Sequence, residues 1–258
     1  MKKITESSEH FRVLTYNIHK GFSAGNFRFV LHQIREAIET EDVDLVFLQE
    51  IQGEHERKKN RINEWPSLPQ FEFLADKMWP HYAYGKNAVY YSGHHGNAIL
   101  SKYPIIHWEN INVSSSKRAS RSLLHAVINV PHSKKYFHVF CIHLALRASE
   151  RRRQLRVLSH RIKTQVPAEC PLIIAGDFND WLGQADKSIN KQLGLSEVFE
   201  TLTGERAKTF PVWWPVLPVD RIYFRNLNAE NCDCLNSKTW RKLSDHAALH
   251  AGFSLLKP

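Results

Sequence analysis

Apolar residues along the chain fall into two patterns, short uninterrupted runs and longer stretches with helical spacing. The short runs predict buried β-strands, and they lie at residues 12–16, 43–48, 96–100, 123–130, 136–144, 172–175, 221–224 and 247–253. Apolar positions three and four residues apart predict amphipathic helices at residues 29–39 and 148–164. Because strands outnumber helices and hairpin-like pairs mix with β-α-β units, the pattern favours an α/β fold with mixed sheets.

The domain organisation predicted from the sequence is simple. The chain contains no Gly/Ser-rich linker, internal repeat or abrupt change of composition. We therefore predict one domain over residues 11–258, preceded by a disordered or loosely held segment at residues 1–10. A polar stretch at residues 226–238 predicts a loop. It contains Cys232 and Cys234, to which we assign no role.

Composition narrows the class of protein. With 43% apolar residues among 258, the chain has too much apolar content for a disordered protein and enough length to bury a large core. The net charge of +9 suits an anionic partner, such as nucleic acid, a membrane surface or a phosphorylated small molecule. No stretch approaches the roughly 20 apolar residues that span a bilayer, and the start lacks the apolar run of a signal peptide. Four cysteines form no disulfide framework, so we predict a cytoplasmic protein. No obligate protein partner is evident from the sequence.

Polar side chains recur at the ends of the predicted strands. Taken singly, such a residue is more often a turn or capping residue, and a lone histidine in an apolar strand is more often part of the core. Taken together, they predict a site, because strand ends in α/β sheets meet at one edge. Oxygen-rich donors at such an edge suit Mg²⁺ or Mn²⁺. These residues are Asn17, Glu50, His143, Asp177, Asn179, Asp220, Asp245 and His246.

The same segments resemble the endonuclease/exonuclease/phosphatase superfamily, which includes DNase I-like nucleases, abasic-site endonucleases, neutral sphingomyelinases and inositol-polyphosphate 5-phosphatases. Each motif is short, but the ordered set is specific and spans nearly the whole chain. The likeness is greatest to uncharacterised bacterial members. It implies a DNase I-like four-layer sandwich, in which two mixed β-sheets are flanked by helices. The matching segments are Thr15-Tyr16-Asn17-Ile18-His19-Lys20-Gly21, Leu48-Gln49-Glu50, Gly96-Asn97-Ala98-Ile99-Leu100-Ser101, Ile142-His143-Leu144, Gly176-Asp177-Phe178-Asn179, Val219-Asp220-Arg221-Ile222 and Ser244-Asp245-His246.

The resemblance implies a bound Mg²⁺ or Mn²⁺, held by Asn17, Glu50 and Asp245. Such an ion stabilises charge that develops on a phosphoryl oxygen. Arg121 is the best match to a phosphate-binding side chain, although the residues around it match only loosely. The number of metal ions stays open.

The resemblance also implies catalytic roles in the attack of water on a phosphodiester. Asp177 would align or deprotonate the water, and Asn179 would orient it. His246 would hydrogen-bond the phosphate or transfer a proton, with Asp220 fixing its tautomer. His143 would contact a phosphate oxygen from the other side.

Two further features bear on the substrate. Seven basic residues between positions 147 and 163, including Arg151–Arg153, form either a contact for a polyanion or a solvated helix face. Trp213 and Trp214 lie in a proline-flanked loop before Asp220, where they would stack on bases, enter a lipid interface or pack in the core. These readings stay open.

We therefore predict a metal-dependent phosphodiesterase that acts on an anionic phosphoester. Nucleic acid is one candidate substrate class, and a phospholipid or sphingolipid headgroup is a second. A phosphorylated small molecule is a third. A catalytically silent protein that binds nucleic acid or membranes is the alternative from another class. The match at every core position argues against it.

Overall fold

The computed structural model describes residues 10–114, 120–131, 133, 135–183 and 192–256. The predicted loosely held segment therefore lies outside the described residues, apart from His10, which is the first residue of a strand paired with Ser254. Part of the segment before Arg121 and part of the connection at residues 131–134 lie outside them as well.

Two mixed sheets of six strands each form the body of the protein. The strands of the first sheet are β1 (His10–Asn17), β2 (Leu45–His55), β3 (His81–Tyr90), β4 (Gly93–Ser101), β11 (Leu227–Leu235) and β12 (Ala248–Leu255). Those of the second are β5 (Ile105–Asn112), β6 (Ser122–Ile128), β7 (Phe137–His143), β8 (Leu172–Asp177), β9 (Ser196–Glu197) and β10 (Asp220–Arg225).

Strand order confirms that the sheets are mixed. The orders are β11-β12-β1-β2-β4-β3 and β5-β6-β7-β8-β10-β9. In the first sheet β1 runs parallel to β2 and antiparallel to β12, and in the second β8 runs parallel to β7 and antiparallel to β10.

Helices cover the outer faces of the sheets and connect their strands. Within the described residues the α-helices are α1 (Leu31–Thr40), α2 (Glu56–Lys59), α3 (Gln70–Ala75), α4 (Ala148–Gln165) and α5 (Val198–Thr203). Both helices predicted from apolar spacing, α1 and α4, are present within two residues of their predicted bounds. In the part of the chain that the structure describes, no helix combines the length and apolarity needed to cross a bilayer.

Alternation along the strands divides the core into layers. Successive side chains of a strand point to opposite faces, so Val13 packs between the two sheets while Leu14 packs under α1. On the second sheet Ile173 faces the first sheet, and Ile174 packs against Leu158 of α4 in a third cluster. The resulting order is helix, sheet, sheet, helix, which confirms the predicted sandwich.

Two predictions about local structure need correction. The predicted loop at residues 226–238 is largely the strand β11, which pairs with β12 along its length. Its polar side chains belong to an edge strand that faces solvent on one side, so polarity alone does not indicate a loop there. Cys232 and Cys234 lie on this strand as free thiols.

The basic stretch of α4 also differs from the prediction. Arg151 is buried and not part of the solvent face, whereas Arg152 and Arg153 are exposed. The buried guanidinium lies 3.5 Å from Asp180, which compensates its charge. Of the three arginines at 151–153, only Arg152 and Arg153 are therefore available to contact a polyanion.

Candidate active site

The ends of five strands bring the predicted site residues to one edge of the sandwich. In the second sheet His143 pairs with Asp177, and Asp177 pairs with Asp220, so three neighbouring strands present one polar residue each at the same level. In the first sheet Asn17 ends β1, and Asp245 and His246 lie two to three residues before β12, which is antiparallel to it. Both sheets therefore contribute to the edge.

A buried histidine–carboxylate pair forms the centre of the site. Nδ1 of His246 lies 2.8 Å from Oδ2 of Asp220, and its Nε2 lies 4.0 Å from Oδ2 of Asp177. Burial alone would lower the pKa of His246, but the charge and hydrogen bond of Asp220 raise it to about 10. His246 is therefore a cation at neutral pH, and its Nε2 makes only the long contact with Asp177.

Asp177 is held in place from both of its oxygens. Oδ1 accepts a 2.9 Å hydrogen bond from the backbone N–H of Asn179, and Oδ2 accepts one of 3.3 Å from the Asn17 side chain. Asn179 has a left-handed backbone, with φ of 50°, which turns its side chain back so that it donates to the Leu144 carbonyl. Burial raises the pKa of Asp177, which makes its carboxylate a better proton acceptor.

His143 lies on the opposite side of Asp177. Its Nε2 is 3.4 Å from Oδ2 of Asp177. Burial, together with the nearby positive charge of Arg121, lowers the pKa of His143 to about 4. His143 is therefore neutral at pH 7, in contrast to His246, and contacts its neighbours by hydrogen bonding.

Glu50 is directed into the site by an irregularity in β2. The register of β2 against β4 shifts between Leu48 and Ile51, and Glu50 has a φ of 57°. Glu50 therefore lies within β2 and not after its end, and such a bulge changes the direction of a side chain inside a strand. The carboxylate lies 2.6 Å from Nζ of Lys20. Burial opposes its ionisation. In the acid range where Glu50 titrates His143 is protonated, and its charge, together with that of Lys20, lowers the pKa of Glu50 to about 2.

Asp245 is the second carboxylate on this side. Its Oδ1 lies 2.8 Å from Nδ1 of His19 and accepts a 3.2 Å hydrogen bond from Ser244. The same Ser244 hydroxyl is 2.7 Å from the backbone oxygen of Asn17, which ties the start of β12 to the end of β1. Although burial raises the pKa of Asp245, the hydrogen bond of His19 and the charge of His246 outweigh it and lower the pKa.

These donors fit a hard divalent cation. Glu50 and Asp245 are ionised at neutral pH, and the amide oxygen of Asn17 is a further oxygen donor, which accepts a 3.2 Å hydrogen bond from the backbone N–H of His19. A second group, Asp177, Asp220 and His246, has ligand-type atoms within 4.8 Å of one another. The protonated His246 has no lone pair for a metal ion, so only the two carboxylates of this group could contribute a ligand at neutral pH. Within the described residues, buried Oδ1 of Asp220 has no hydrogen-bond partner, which leaves a lone pair for an ion or a donor. Oxygen donors of this kind are typical ligands of Mg²⁺ and Mn²⁺.

Arg121 lies next to the site, but its guanidinium is turned toward the backbone. Nε donates to the Leu144 carbonyl at 3.3 Å and Nη1 to the Ser120 carbonyl at 3.1 Å. Its charge nevertheless reaches the site, because it lowers the pKa of both His143 and His95.

The sequence analysis did not single out three side chains that contact the predicted ligands. Lys20 contacts Glu50, His19 contacts Asp245, and Ser244 joins two strands of the site. All three belong to the motifs that carry the resemblance. His19 and Lys20 follow a strand that ends in Asn, and this is the local signal that points to a tight turn there. Both residues have a positive φ, 45° and 59°, which is typical of such a turn.

Comparisons with known proteins identify the family of the chain. The chain matches the Endonuclease/Exonuclease/phosphatase family over residues 14–246. It is 47% identical over 245 residues to the uncharacterized protein YbhP of Escherichia coli (strain K12), which covers 95% of this chain and 96% of YbhP.

Two solved structures have a similar fold. An endonuclease/exonuclease/phosphatase from Beutenbergia cavernae DSM 12333 has a TM-score of 0.78 and 19% identity, covering 95% of this chain and 72% of that chain. TDP2 of D. rerio, complexed with a single-strand DNA product, has a TM-score of 0.69 and 19% identity, covering 95% and 99%. At this level of identity the likeness shows the fold alone.

Two packed mixed sheets with a polar cluster at one edge define a DNase I-like sandwich. The chain belongs to the endonuclease/exonuclease/phosphatase family, whose members are typically hydrolases of phosphoester bonds.

Proposed function

We propose that the protein is a divalent-metal-dependent hydrolase of phosphodiesters, which acts by in-line attack of water. The observation that carries the proposal is the contact geometry of His246, Asp220 and Asp177, with the ionised carboxylates Glu50 and Asp245 alongside. This arrangement offers a proton acceptor, a cationic donor and a hard-oxygen cation site within one buried edge, which are the parts that phosphoester hydrolysis needs.

A divalent cation held by Asn17, Glu50 and Asp245 would supply Lewis-acid stabilisation of charge on the phosphoryl oxygens. Asp177 would accept the proton of the attacking water, because burial raises its pKa. Asn179 donates its side-chain N–H to Leu144, which leaves its amide oxygen to orient that water.

The two histidines would act differently on the phosphate. His246 is cationic at neutral pH, and Asp220 occupies its Nδ1, so the Nε2 proton is directed to a phosphoryl or leaving-group oxygen. His143 is neutral and would hydrogen-bond a phosphate oxygen without changing the net charge. Arg121 would add a long-range positive potential that attracts the anion.

A single-stranded nucleic acid is the first substrate candidate to test. The net charge of +9 favours a polyanion, and the structurally similar TDP2 was solved with a single-strand DNA product. A lipid headgroup diester and an inositol phosphate are the other candidates.

A parallel activity panel tests the proposal. Plasmid DNA, single-stranded DNA, RNA, phospholipid vesicles and inositol phosphates are incubated with the protein at matched Mg²⁺ and salt, with Asp177→Asn as the inactive variant. Hydrolysis of one class that requires the metal and is lost in Asp177→Asn supports the proposal. No metal-dependent hydrolysis of any class would favour a protein that binds its anionic partner without cleaving it.

A further inference from the structure

Three loops at the catalytic edge expose large apolar side chains to solvent. Trp213 and Trp214 are 65% and 67% exposed, so the structure rules out the core-packing interpretation of this pair. Two neighbouring loops also expose large apolar side chains; Leu182, for example, is 68% exposed. We call the set the apolar rim; it consists of Leu146, Trp181, Leu182, Trp213, Trp214 and Val216.

Buried arginines hold these three loops together. Arg221, directly after Asp220, donates to the backbone oxygen of Asp180 and, at 3.3 Å, to that of Pro218. Arg151 donates to the backbone oxygens of Ala145 and Leu146 and lies 3.5 Å from the Asp180 carboxylate. Each arginine therefore ties one loop to Asp180, and the rim is a fixed surface built on buried ion pairs.

The rim is attached directly to the candidate active site. The backbone N–H of Val212 donates to the Asp245 carbonyl at 2.8 Å, one residue before Trp213. The ring of Phe210 lies 4.9 Å from that of His246. Asn179 precedes Asp180 in the chain. A partner seated on the rim would therefore lie next to the catalytic groups.

The side chains of the rim indicate the chemistry of that partner. Leu146, Leu182 and Val216 are aliphatic and have no flat face on which a base would stack. Aliphatic side chains mixed with tryptophan are typical of a surface that enters the boundary between headgroups and acyl chains. Exposed Arg147 follows Leu146 directly, exposed Arg152 and Arg153 lie further along α4, and all three match anionic headgroups in charge.

We propose that the apolar rim docks on an anionic lipid surface, with the start of α4 against the headgroups. Docking itself does not require hydrolysis. Its consequence, that the lipid headgroup diester and not nucleic acid is the substrate, rests on the phosphodiester hydrolysis proposed above. The catalytic edge then faces the headgroup phosphates, and the rim inserts beside them.

Vesicle sedimentation of the full chain tests docking without turnover. The protein is mixed in EDTA with vesicles of phosphatidylcholine alone or with added phosphatidylglycerol, at low and high salt. We expect wild type to bind the vesicles with phosphatidylglycerol, and Trp213→Ala/Trp214→Ala to lower the partition coefficient by ~10-fold or more. Arg152→Gln/Arg153→Gln should weaken binding to the anionic vesicles at low salt only, because salt screens the attraction.

Trp108→Ala is the matched control. Trp108 is 46% exposed in the middle of the edge strand β5, away from the catalytic edge, so its removal should leave binding unchanged. Leu182→Asp provides an independent variant in a second loop, and circular dichroism checks that each variant is folded. In EDTA the result does not depend on catalysis, so failure of docking and failure of the proposed hydrolysis are distinguished.

Three results overturn the proposal. Wild type that does not sediment with anionic vesicles is the first. The second is binding that survives both Trp213→Ala/Trp214→Ala and Leu182→Asp in folded proteins. The third is a loss of single-stranded DNA binding in the tryptophan variant with vesicle binding intact, which assigns the rim to nucleic acid.

Discussion

Nδ1 of His246 lies 2.8 Å from Oδ2 of Asp220, and both residues are buried. The pair joins the start of β10 to the segment just before β12, and so links the two sheets at the catalytic edge. Because Asp220 raises the pKa of His246 to about 10 against the effect of burial, the imidazole keeps its proton at neutral pH. Its orientation and its charge therefore both depend on one carboxylate.

The first prediction concerns this dependence. Asp220→Asn should lower kcat by about 10–100-fold, because it removes the carboxylate that orients the imidazole. Activity that needs the protonated imidazole is present below the pKa of His246 and is lost above it. The substitution lowers that pKa, so the alkaline limb of the kcat profile should move to lower pH. Rates measured from pH 6 to 10 check this, with exposed Asp233→Asn on β11 as control. An unchanged alkaline limb would contradict the assigned role.

The second prediction concerns metal affinity. Glu50→Gln removes a charged oxygen donor and should weaken Mg²⁺ or Mn²⁺ binding by about 10–100-fold in titration calorimetry. Glu54→Gln, an exposed glutamate on the same strand, is the matched control and should bind as wild type does. Equal affinities of all three proteins would show that Glu50 is not a ligand.

The third prediction separates the buried from the exposed arginines of α4. Arg151→Met should lower the free energy of unfolding by about 3 kcal/mol, since it leaves part of the buried Asp180 charge uncompensated. Arg152→Met, one residue along the helix and exposed, should leave it unchanged within error. Urea denaturation of both variants is the measurement. Equal free energies of unfolding of the two variants would mean that the contacts of Arg151 contribute no more to stability than a solvated side chain does.

The fourth prediction concerns Glu197, which is buried beside the first turn of α5. Its Oε2 accepts a 2.8 Å hydrogen bond from the Glu200 N–H, and burial raises its pKa from 4.5 to about 7. The folded state keeps a proton that the unfolded chain releases above about pH 4.5. The free energy of unfolding should therefore fall by roughly 3 kcal/mol between pH 4.5 and 8 on account of this group.

Glu197→Gln cannot ionise and should lack this contribution. Compared with wild type in urea denaturation, it should gain stability at pH 8 relative to pH 4.5. If the free energies of unfolding of wild type and Glu197→Gln differ by the same amount at pH 4.5 and at pH 8, the raised pKa of Glu197 is contradicted.

Much of the fold follows from local pattern, because a strand buried on both faces has a continuous apolar run. The eight predicted strands and both predicted helices are present. Strands at or near the sheet edges were not predicted, because they are not buried on both faces and lack a continuous apolar run. β3, β5 and β11 carry exposed polar residues between apolar ones, so their runs are broken. Their strand structure depends on pairing with a distant partner, such as β12 for β11.

In the candidate site, too, some features could be predicted from the sequence and others could not. Asn17, Asp177 and Asp220 were predictable from their places at strand ends. The pairing of Lys20 with Glu50 was not, because it depends on a bulge in β2 that only the register against β4 reveals. The burial of Arg151 likewise depends on Asp180, which is distant in sequence.

The central claim, a metal-dependent hydrolysis that uses Asp177 and His246, is tested most directly with bis(p-nitrophenyl) phosphate. The release of p-nitrophenol is measured after EDTA treatment and again after Mg²⁺ or Mn²⁺ is restored, for wild type, Asp177→Asn and His246→Ala. We predict turnover only with the metal, and a loss of about 10²–10⁴-fold in each variant. Turnover that is independent of metal, or that both variants retain, would contradict the assignment of this site.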